Sequence, residues 1–443
     1  MEAGQQRSRK DGTPAPTEAM KLHILGKNIN IPVFVVVLSI FLLGVLVYNE
    51  HVKSITEFPF PWPGSHWMTD TTDLTIYEEE EEEVELPPRE CDLFTGNWVF
   101  DNETHPLYKE DECESLTEQV TCMRNGRKDS MYQSWRWQPK DCSLPKYKPR
   151  LLLKRLRNKR LMFVGDSLNR NQWESMICLA QSGIPKARRK RNVLMKTGSL
   201  SVFRIKDYNA TIEFYWAPFL VESNADNPDM HSVPDRIIMP ESIYKHAVNW
   251  VSVDFLIFNT YIWWMNSPTI KVSRGESFDE GSTDYEEIDQ PVAYERVLRS
   301  WSEWVERNVD PRRTQVFFNS MSPLHFNSLN WGDPNGIKCS KETTPIHDAS
   351  TAMGIGTDRR LFAIAENVTR SSARVPVHFI NITALSKYRK DAHTSVYTVR
   401  QGKRLTPAQM ADPRTFADCI HWCLPGLPDT WNELIYAHIL SYS

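Results

Sequence analysis

Short apolar runs that alternate with segments of helical periodicity constrain the fold of this chain most strongly. Six runs of strand length follow Arg150: LMFVGDS, SVFRI, TIEFYWAPF, VDFLIFNT, TQVFFNSMS and VPVHFINIT. Residues 292–308 lie between two of them, and their apolar side chains recur at intervals that share one face of a helix. Such alternation is typical of an α/β domain whose helices cover both faces of a mainly parallel sheet. We therefore predict an α/β domain over residues 151–443.

Residues 31–48, IPVFVVVLSIFLLGVLVY, carry no charge. As a helix they would span roughly 27 Å, at about 1.5 Å per residue, which is close to the thickness of a hydrocarbon core. A cleaved signal peptide is the alternative, but its apolar part is usually shorter and precedes small residues, whereas YNEH follows here. Lysines and arginines precede the stretch and acidic residues follow it. The positive-inside rule therefore predicts a signal anchor, with residues 1–30 in the cytosol and the rest of the chain luminal.

Overall composition excludes little else, but it sets apart residues 49–90. The net charge of −4 gives no reason to predict nucleic-acid binding, which requires a basic stripe or patch. Residues 49–90 contain five prolines and a run of six glutamates at 78–83, so they can bury little apolar surface. We interpret them as a stem, and binding of calcium or of a basic partner is the alternative for the acidic run.

All eight cysteines follow the apolar stretch. An even number of cysteines in an oxidising compartment predicts four disulfides, although 105 pairings are open. A zinc site is the alternative, but only two of these cysteines are close in sequence and no second close pair exists. Residues 91–150, which concentrate cysteine and tryptophan, are predicted to form a loop-rich subdomain held by disulfides. The cysteines are Cys91, Cys113, Cys122, Cys142, Cys178, Cys339, Cys419 and Cys423.

Four N-glycosylation sequons lie on the same side of the apolar stretch, at Asn102, Asn209, Asn367 and Asn381. Together with the anchor and the cysteines, they indicate a protein of the secretory pathway.

Ser167 occupies a turn in the segment LMFVGDSLNRNQW. Residues 161–164 are predicted to form a buried strand, Gly165 permits a tight turn, and a helix is predicted to begin near Leu168. A serine at such a position is usually a helix cap. The same position also suits a nucleophile, because the helix dipole and unpaired backbone N–H groups favour negative charge there. This segment alone leaves both interpretations open.

A second segment, DCIHWCLPGLPDTWN, supplies groups that could activate the serine. Asp418 and His421 are three residues apart, so one turn could aim both side chains in the same direction. The carboxylate would then orient the imidazole through Nδ1 while Nε2 accepts the proton of Ser167. Cys419 and Cys423 would fix this loop if each pairs with a distant cysteine. We predict a catalytic triad of these three residues, and an incidental histidine in a surface loop is the alternative.

These motifs resemble those of known families. GDS after a strand and D-x-x-H near the C-terminus resemble the SGNH/GDSL esterase superfamily. Longer segments, such as CDLFTGNWVFD, NGRKDSMYQSWRWQP and DCIHWCLPGLPDTWNELIY, resemble the plant trichome birefringence-like family over residues 91 to about 440. The resemblance is closest to the branch that acetylates xylan. Lys128 departs from a family pattern that reads GRPD.

The resemblance implies an SGNH/GDSL-like fold and a Golgi O-acetyltransferase that acetylates O-2 or O-3 hydroxyls of xylosyl units through an acetyl-serine. It implies no bound cofactor and no metal, but an acetyl donor, either acetyl-CoA or an acetylated intermediate. The implied partners are xylan or a related hemicellulose, the Golgi membrane and other Golgi proteins of polysaccharide synthesis. An acetyl esterase with the same triad and a non-catalytic polysaccharide-binding protein are the alternatives.

Superfamily analogy also assigns supporting roles. The oxyanion would be bound by the N–H of Ser167, the side chain of Asn259 and Gly198. The resemblance further implies that the four cysteines of residues 91–150 pair with cysteines of the catalytic domain, and that Cys339 pairs with Cys419.

Candidate substrate residues are aromatic or basic. A neutral polysaccharide is commonly bound on aromatic side chains, and the candidates are Trp422, Trp216, Trp263 and Trp264, for which a core position is the alternative. Arg170 and Arg136 are candidates to meet a glucuronic acid branch or a donor phosphate.

Other motifs carry less weight. Asp391 and His393 could form a second acid–base pair, but no serine motif adjoins them, so we interpret them as structural. His231 and Asp235 match the H-x-x-x-D of plant acyl-CoA transferases without the other segment that those enzymes carry. No G-x-S-x-G occurs, which argues against an α/β-hydrolase elbow.

Overall fold

The computed structural model describes residues 83–441, apart from positions 232, 234, 266, 275–283 and 349–355. The predicted cytosolic tail, the apolar stretch 31–48 and most of the predicted stem lie outside the described residues. Within the described part of the chain, no helix is both long and apolar enough to cross a bilayer.

The described residues form sixteen strands. In chain order they are β1 (Gly96–Phe100), β2 (Trp135–Pro139), β3 (Arg160–Gly165), β4 (Val193–Thr197), β5 (Leu200–Ile205), β6 (Ala210–Trp216), β7 (Ile237–Ile238), β8 (Phe255–Phe258), β9 (Thr269–Ser273), β10 (Tyr285–Asp289), β11 (Gln315–Asn319), β12 (Val377–Ile380), β13 (His393–Ser395), β14 (Val399–Arg400), β15 (Lys403–Arg404) and β16 (Asp418–Trp422).

Ten α-helices occur in the same residues. They are α1 (Pro149–Leu156), α2 (Ser167–Ser182), α3 (Lys186–Arg189), α4 (Tyr244–Ala247), α5 (Gln290–Asn308), α6 (Arg359–Arg370), α7 (Ile382–Ser386), α8 (Pro407–Met410), α9 (Pro413–Phe416) and α10 (Leu427–Ser441). The predicted helix 292–308 is α5, which begins two residues earlier because Pro291 fits the first turn of a helix.

A seven-stranded sheet in the order β12-β11-β8-β3-β6-β5-β4 forms the centre of the fold. The first five strands are parallel, and β5 and β4 are antiparallel at one edge. All six predicted apolar runs contribute a strand to this sheet, so the predicted mainly parallel α/β sheet is confirmed. The edge strand β4 was not predicted, because all five of its residues are exposed and it lacks a buried face.

Helices cover both faces of this sheet, as the sequence predicts. Phe163, Phe214 and Ile257 are register partners and share one face, where the ring of Trp173 from α2 packs against Phe214. Side chains one residue further along each strand point to the opposite face, where Trp301 of α5 packs against Phe258. Because β3 is the fourth of the seven strands, the residues that follow it lie at the middle of the carboxyl edge of the sheet.

Four disulfides connect the eight cysteines, as predicted, and leave no thiol for the zinc alternative. Cys339 pairs with Cys419, as the resemblance implies. Of the four cysteines in residues 91–150, only two reach the catalytic domain, and the expectation for the other two is wrong because the antiparallel pairing of β1 with β2 brings them together. The remaining pairs are Cys113–Cys178, Cys122–Cys423 and Cys91–Cys142.

Candidate active site

The turn between β3 and α2 presents Ser167 at the carboxyl end of the central strand. Gly165 is required there by space, since a Cβ atom would lie 2.3 Å from the backbone oxygen of Asn259. The N-cap of α2 is Asp166, whose Oδ1 accepts a 2.9 Å hydrogen bond from the N–H of Leu168. Ser167 is therefore the first helical residue and not the cap, and its hydroxyl is left for another partner.

That partner is His421. The hydroxyl of Ser167 lies 2.8 Å from Nε2 of His421, and Nδ1 of the same ring lies 2.8 Å from Oδ2 of Asp418. The structure thus brings together the three residues predicted as a triad, which come from two segments about 250 residues apart in the chain. This arrangement allows the imidazole to take the hydroxyl proton while the carboxylate fixes its tautomer.

A bulge in β16 brings the side chains of Asp418 and His421 to the same side. The strand pairs with β13 so that Trp422 faces His393 and Asp418 faces Ser395, which places two additional residues on β16. The predicted turn is therefore wrong, and an irregular strand replaces it. Oδ1 of Asp418 accepts hydrogen bonds from the N–H groups of Ile420 and His421, at 2.9 and 3.0 Å, and so holds the carboxylate over the bulge.

Asp418 is held in its charged form. Burial opposes ionisation of this carboxyl, but the adjacent His421 ring and the two backbone N–H donors outweigh it and hold the pKa well below the ordinary value. The carboxylate is thus ready to stabilise an imidazolium when Ser167 loses its proton.

Asn171 positions the strand that carries His421, a role that the sequence analysis missed. It stands four residues after Ser167, one turn further along α2. Its Oδ1 accepts a 2.9 Å hydrogen bond from the N–H of Trp422, and its Nδ2 donates to the carbonyl of Trp422 at 3.2 Å. The spacing of four from the serine was the only signal in the sequence.

A pair of buried histidines lies behind this strand. His393 stacks on the ring of Trp422 with 3.7 Å between ring centroids, and its Nδ1 lies 3.1 Å from the carbonyl of His421. Its Nε2 lies 2.7 Å from Nδ1 of His325. Burial lowers the pKa of both rings, that of His325 to about 4. The interpretation of His393 as structural agrees with these contacts.

The predicted oxyanion residues are less well placed than the triad. The amide of Asn259 donates to the carbonyls of Asn319 and Ser320, at 3.5 and 3.2 Å, so its hydrogens already have acceptors within the protein. Gly198 lies in the hairpin between β4 and β5, two strands away from β3. Ser167 itself lies in the first turn of α2, where backbone N–H groups lack intrahelical acceptors.

The four tryptophans predicted to bind substrate are core residues instead. Trp422 and Trp264 are 0% and 1% exposed, and Trp216 and Trp263 are 3% and 9% exposed. The indole N–H of Trp422 donates to Ser322, and that of Trp264 donates to Thr260. In this conformation the faces of all four rings are covered by protein, so the alternative of a core position describes them, and a sugar could stack on them only after a conformational change.

The two predicted arginines have protein partners. Arg170 donates to the side chain of Gln119 and lies 3.9 Å from Glu174. Arg136 pairs with Asp101 at 3.3 Å in the hairpin of β1 and β2 and also donates to Gln138. Their predicted contacts with an acidic ligand stay predictions.

The remaining candidates have partners outside the triad. Asp391 pairs with Arg389 at 3.0 Å in the interior, and Asp235 pairs with Lys271 at the surface. His231 packs beside the ring of Trp216. Among the described residues, no group of three or more His, Cys, Asp and Glu side chains could hold a metal ion.

Three of the four predicted glycosylation sites are exposed: Asn102, Asn209 and Asn367. Asn381 is half-buried, and its Oδ1 caps α7 by accepting a hydrogen bond from the N–H of Ala384.

A hydrogen-bonded Ser-His-Asp triad, with its serine directly after a central parallel strand, is the site of a GDSL-type acyl esterase or acyltransferase. Residues 144–438 match the family described as the GDSL/SGNH-like acyl-esterase family found in Pmr5 and Cas1p, and residues 89–143 match the PMR5 N-terminal domain. The chain belongs to this acyl-esterase family.

Several plant proteins are similar to the chain. Xylan O-acetyltransferase 6 of Oryza sativa subsp. japonica is 63% identical over 354 residues, which are 80% of this chain and 63% of that protein. Xylan O-acetyltransferase 4 of the same organism is 50% identical over 93% of this chain and 84% of its own length. Protein trichome birefringence-like 3 of Arabidopsis thaliana is 41% identical over 94% of this chain and 98% of its own length. The chain thus spans less than two thirds of the first of these relatives.

Proposed function

We propose that the chain is an O-acetyltransferase whose acceptor is xylan. The observation that carries this proposal is the hydrogen-bonded arrangement of Ser167, His421 and Asp418 in a chain whose relatives are named xylan O-acetyltransferases. The names of the relatives support the acceptor, and the triad supports the acyl chemistry.

The reaction would proceed by double displacement. Oγ of Ser167 attacks the acetyl carbon while Nε2 of His421 takes the hydroxyl proton, and the resulting tetrahedral oxyanion forms beside the first turn of α2. The donor's leaving group departs with the proton from His421, which leaves an acetyl ester on Ser167. A hydroxyl of a xylosyl unit then gives its proton to His421 and attacks the ester. The second tetrahedral intermediate collapses with Oγ of Ser167 as the leaving group, which takes the proton back from His421 and leaves the acetylated sugar and the free serine. Asp418 remains ionised in both steps and stabilises the imidazolium.

The proposed scheme uses no bound cofactor, and the acetyl donor is a second substrate, either acetyl-CoA or an acetylated intermediate. We further propose that the chain works in the Golgi lumen as a type II membrane glycoprotein that associates with the membrane and with other proteins of polysaccharide synthesis. The four disulfides and the exposed sequon residues Asn102, Asn209 and Asn367 support an oxidising, secretory compartment.

The experiment is an assay of the full-length chain with a labelled acetyl donor and xylooligosaccharides. Acetylated sugar is the expected product, and NMR of that product would identify O-2 or O-3. Free acetate without acetylated sugar would indicate an esterase, since the two activities differ only in whether a sugar or water reaches the acetyl-serine. If neither acetylated sugar nor free acetate forms, the proposal is overturned and the result indicates a binding protein. Ser167→Ala is the matched control for background transfer.

A further inference from the structure

A pocket of about 260 Å³ lies beside the catalytic carboxylate and is not part of the triad. Asp418 and the next two residues of β16 form one wall, and Phe326, Lys338 and Arg400 form the others. Ser167 and His421 do not line it, so a group bound there would not include the reacting atoms.

Two cations that form no salt bridge within the described residues face this pocket, which the ionised Asp418 also lines. Across the described ranges, neither Lys338 nor Arg400 forms an ion pair with a carboxylate. Arg400 donates to the carbonyl of Thr415 and lies over the ring of Phe416. Burial and the nearby charge of Arg400 lower the pKa of Lys338, against the opposing effect of Asp412 and Asp418. Two like charges that are held together favour the binding of an anion between them.

The Cys339–Cys419 disulfide fixes the pocket to the triad. Lys338 precedes Cys339, and Asp418 precedes Cys419, so one covalent bond holds the cation and the catalytic carboxylate as neighbours. Lys338 has a φ of 53°, in the left-handed region that is unfavourable for a residue with a side chain. Strained residues of this type are concentrated at functional sites.

Phe326 supplies the apolar part of the pocket. Its side chain is 44% exposed, in contrast to the buried tryptophans near the triad, and it lies beneath Nζ of Lys338 at 5.9 Å from the ring centroid. An exposed ring beside cations can contact the apolar face of a sugar while the cations bind its charge.

We propose that this pocket is a subsite for one anionic group of a substrate, bound by Lys338 and Arg400. The group is either the carboxylate of a uronic acid branch on the acceptor or a phosphate of the acetyl donor. The proposal rests on the proposed function for the identity of these substrates, but the pocket's preference for an anion is measurable without catalysis.

The test measures equilibrium binding to the full-length chain carrying Ser167→Ala, by calorimetry. The probes are two matched pairs: a xylooligosaccharide with a glucuronic acid branch and the same compound with that carboxylate as its methyl ester, and 4′-phosphopantetheine with pantetheine, which lacks the phosphate. We expect the charged member of one pair to bind at least about 10-fold more tightly than the neutral member. The pair that shows this preference identifies the source of the anion.

Substitutions at the two cations then test whether the tighter binding of the charged probe depends on this pocket. Lys338→Gln and Arg400→Gln should each reduce the preference about 10-fold, whereas Lys403→Gln, on the same hairpin but outside the pocket, should leave it unchanged. Lys338→Arg should retain most of it, which separates lost charge from a disturbed backbone. Equal binding of both members in both pairs, or a preference that both glutamine variants keep, would overturn the proposal. Neither result depends on acetyl transfer, so failure of the proposed function would be seen separately.

Discussion

The side chain of Asn171 on α2 forms two hydrogen bonds with the backbone of Trp422 on β16, one to its N–H and one to its carbonyl. An amide side chain thus takes the place of a neighbouring strand. Because Ser167 begins α2 and His421 precedes Trp422, this pair of bonds sets the distance between the nucleophile and its base.

Replacing Asn171 should therefore impair catalysis more than stability. Asn171→Leu leaves two backbone groups unpaired, which should lower the free energy of unfolding by about 1–3 kcal/mol. A displaced imidazole should lower kcat by about 10². Asn171→Asp keeps the acceptor for the N–H of Trp422, so its kcat should lie between those of the parent and of Asn171→Leu. Steady-state kinetics with thermal unfolding would measure both effects, and an unchanged kcat in Asn171→Leu would contradict a positioning role.

Asp418→Asn should be almost inactive while remaining folded. The asparagine oxygen can still accept from the N–H groups of Ile420 and His421, which leaves the NH₂ group facing Nδ1 of His421. That contact selects the tautomer with a hydrogen on Nε2, which cannot take the proton of Ser167. We expect kcat to fall by about 10⁴. Because the pKa of Asp418 lies well below its ordinary value, the loss should be similar from pH 5 to 9.

The disulfides should differ in their importance for catalysis. Cys122–Cys423 and Cys339–Cys419 hold the segment on either side of His421, whereas Cys91–Cys142 lies within residues 91–150. Removing any one pair by serine substitution should cost about 2–5 kcal/mol of stability. Only the first two removals should also lower kcat, by at least about 10-fold, when assayed below the melting temperature. A similar kcat for all three variants would refute this distinction.

The buried histidine pair should make stability fall in acid. Burial lowers the pKa of His325 to about 4, although the charge of Asp391 opposes this shift. Burial also lowers the pKa of His393. Between pH 6.5 and 4 the unfolded chain therefore binds protons that the folded chain does not, so the free energy of unfolding falls as pH falls. For His325 alone this amounts to about 3 kcal/mol.

Chemical denaturation of the parent and of His325→Asn across this range would measure the effect. The variant should show a shallower decline with falling pH, while His347→Asn, at an exposed histidine, should follow the parent. Parallel curves for parent and His325→Asn would show that His325 is not the group responsible.

The features that depend on a local sequence pattern could be predicted from the sequence. The strand before Ser167 and the other five apolar runs could be read from their length and hydrophobicity, and the three triad residues from short motifs. The segment alone left open whether Ser167 is a helix cap, because Asp166 and Ser167 are both residue types that cap helices and only the fold decides which side chain accepts from the N–H of Leu168.

Features set by distant contacts could not be read in the same way. The bulge in β16 depends on its pairing with β13, and the burial of Trp422 depends on His393, Ser322 and the helices around it. The pairing of Cys91 with Cys142 follows from the β1–β2 hairpin, for which the segment gave no strand pattern. Lys338 could not be identified from the sequence, because it lies near Asp418 only through the Cys339–Cys419 disulfide, which joins positions 80 residues apart.

The most direct test of the account is to trap the acyl-enzyme. The full-length chain is incubated with a labelled acetyl donor and no acceptor, quenched in acid, digested and examined by mass spectrometry. We expect one acetyl group on the peptide that carries Ser167, lost on addition of xylooligosaccharide and absent from Ser167→Ala, whose transfer rate should fall at least about 10³-fold. Acetyl transfer that persists in Ser167→Ala, or a label on a different residue, would contradict the account.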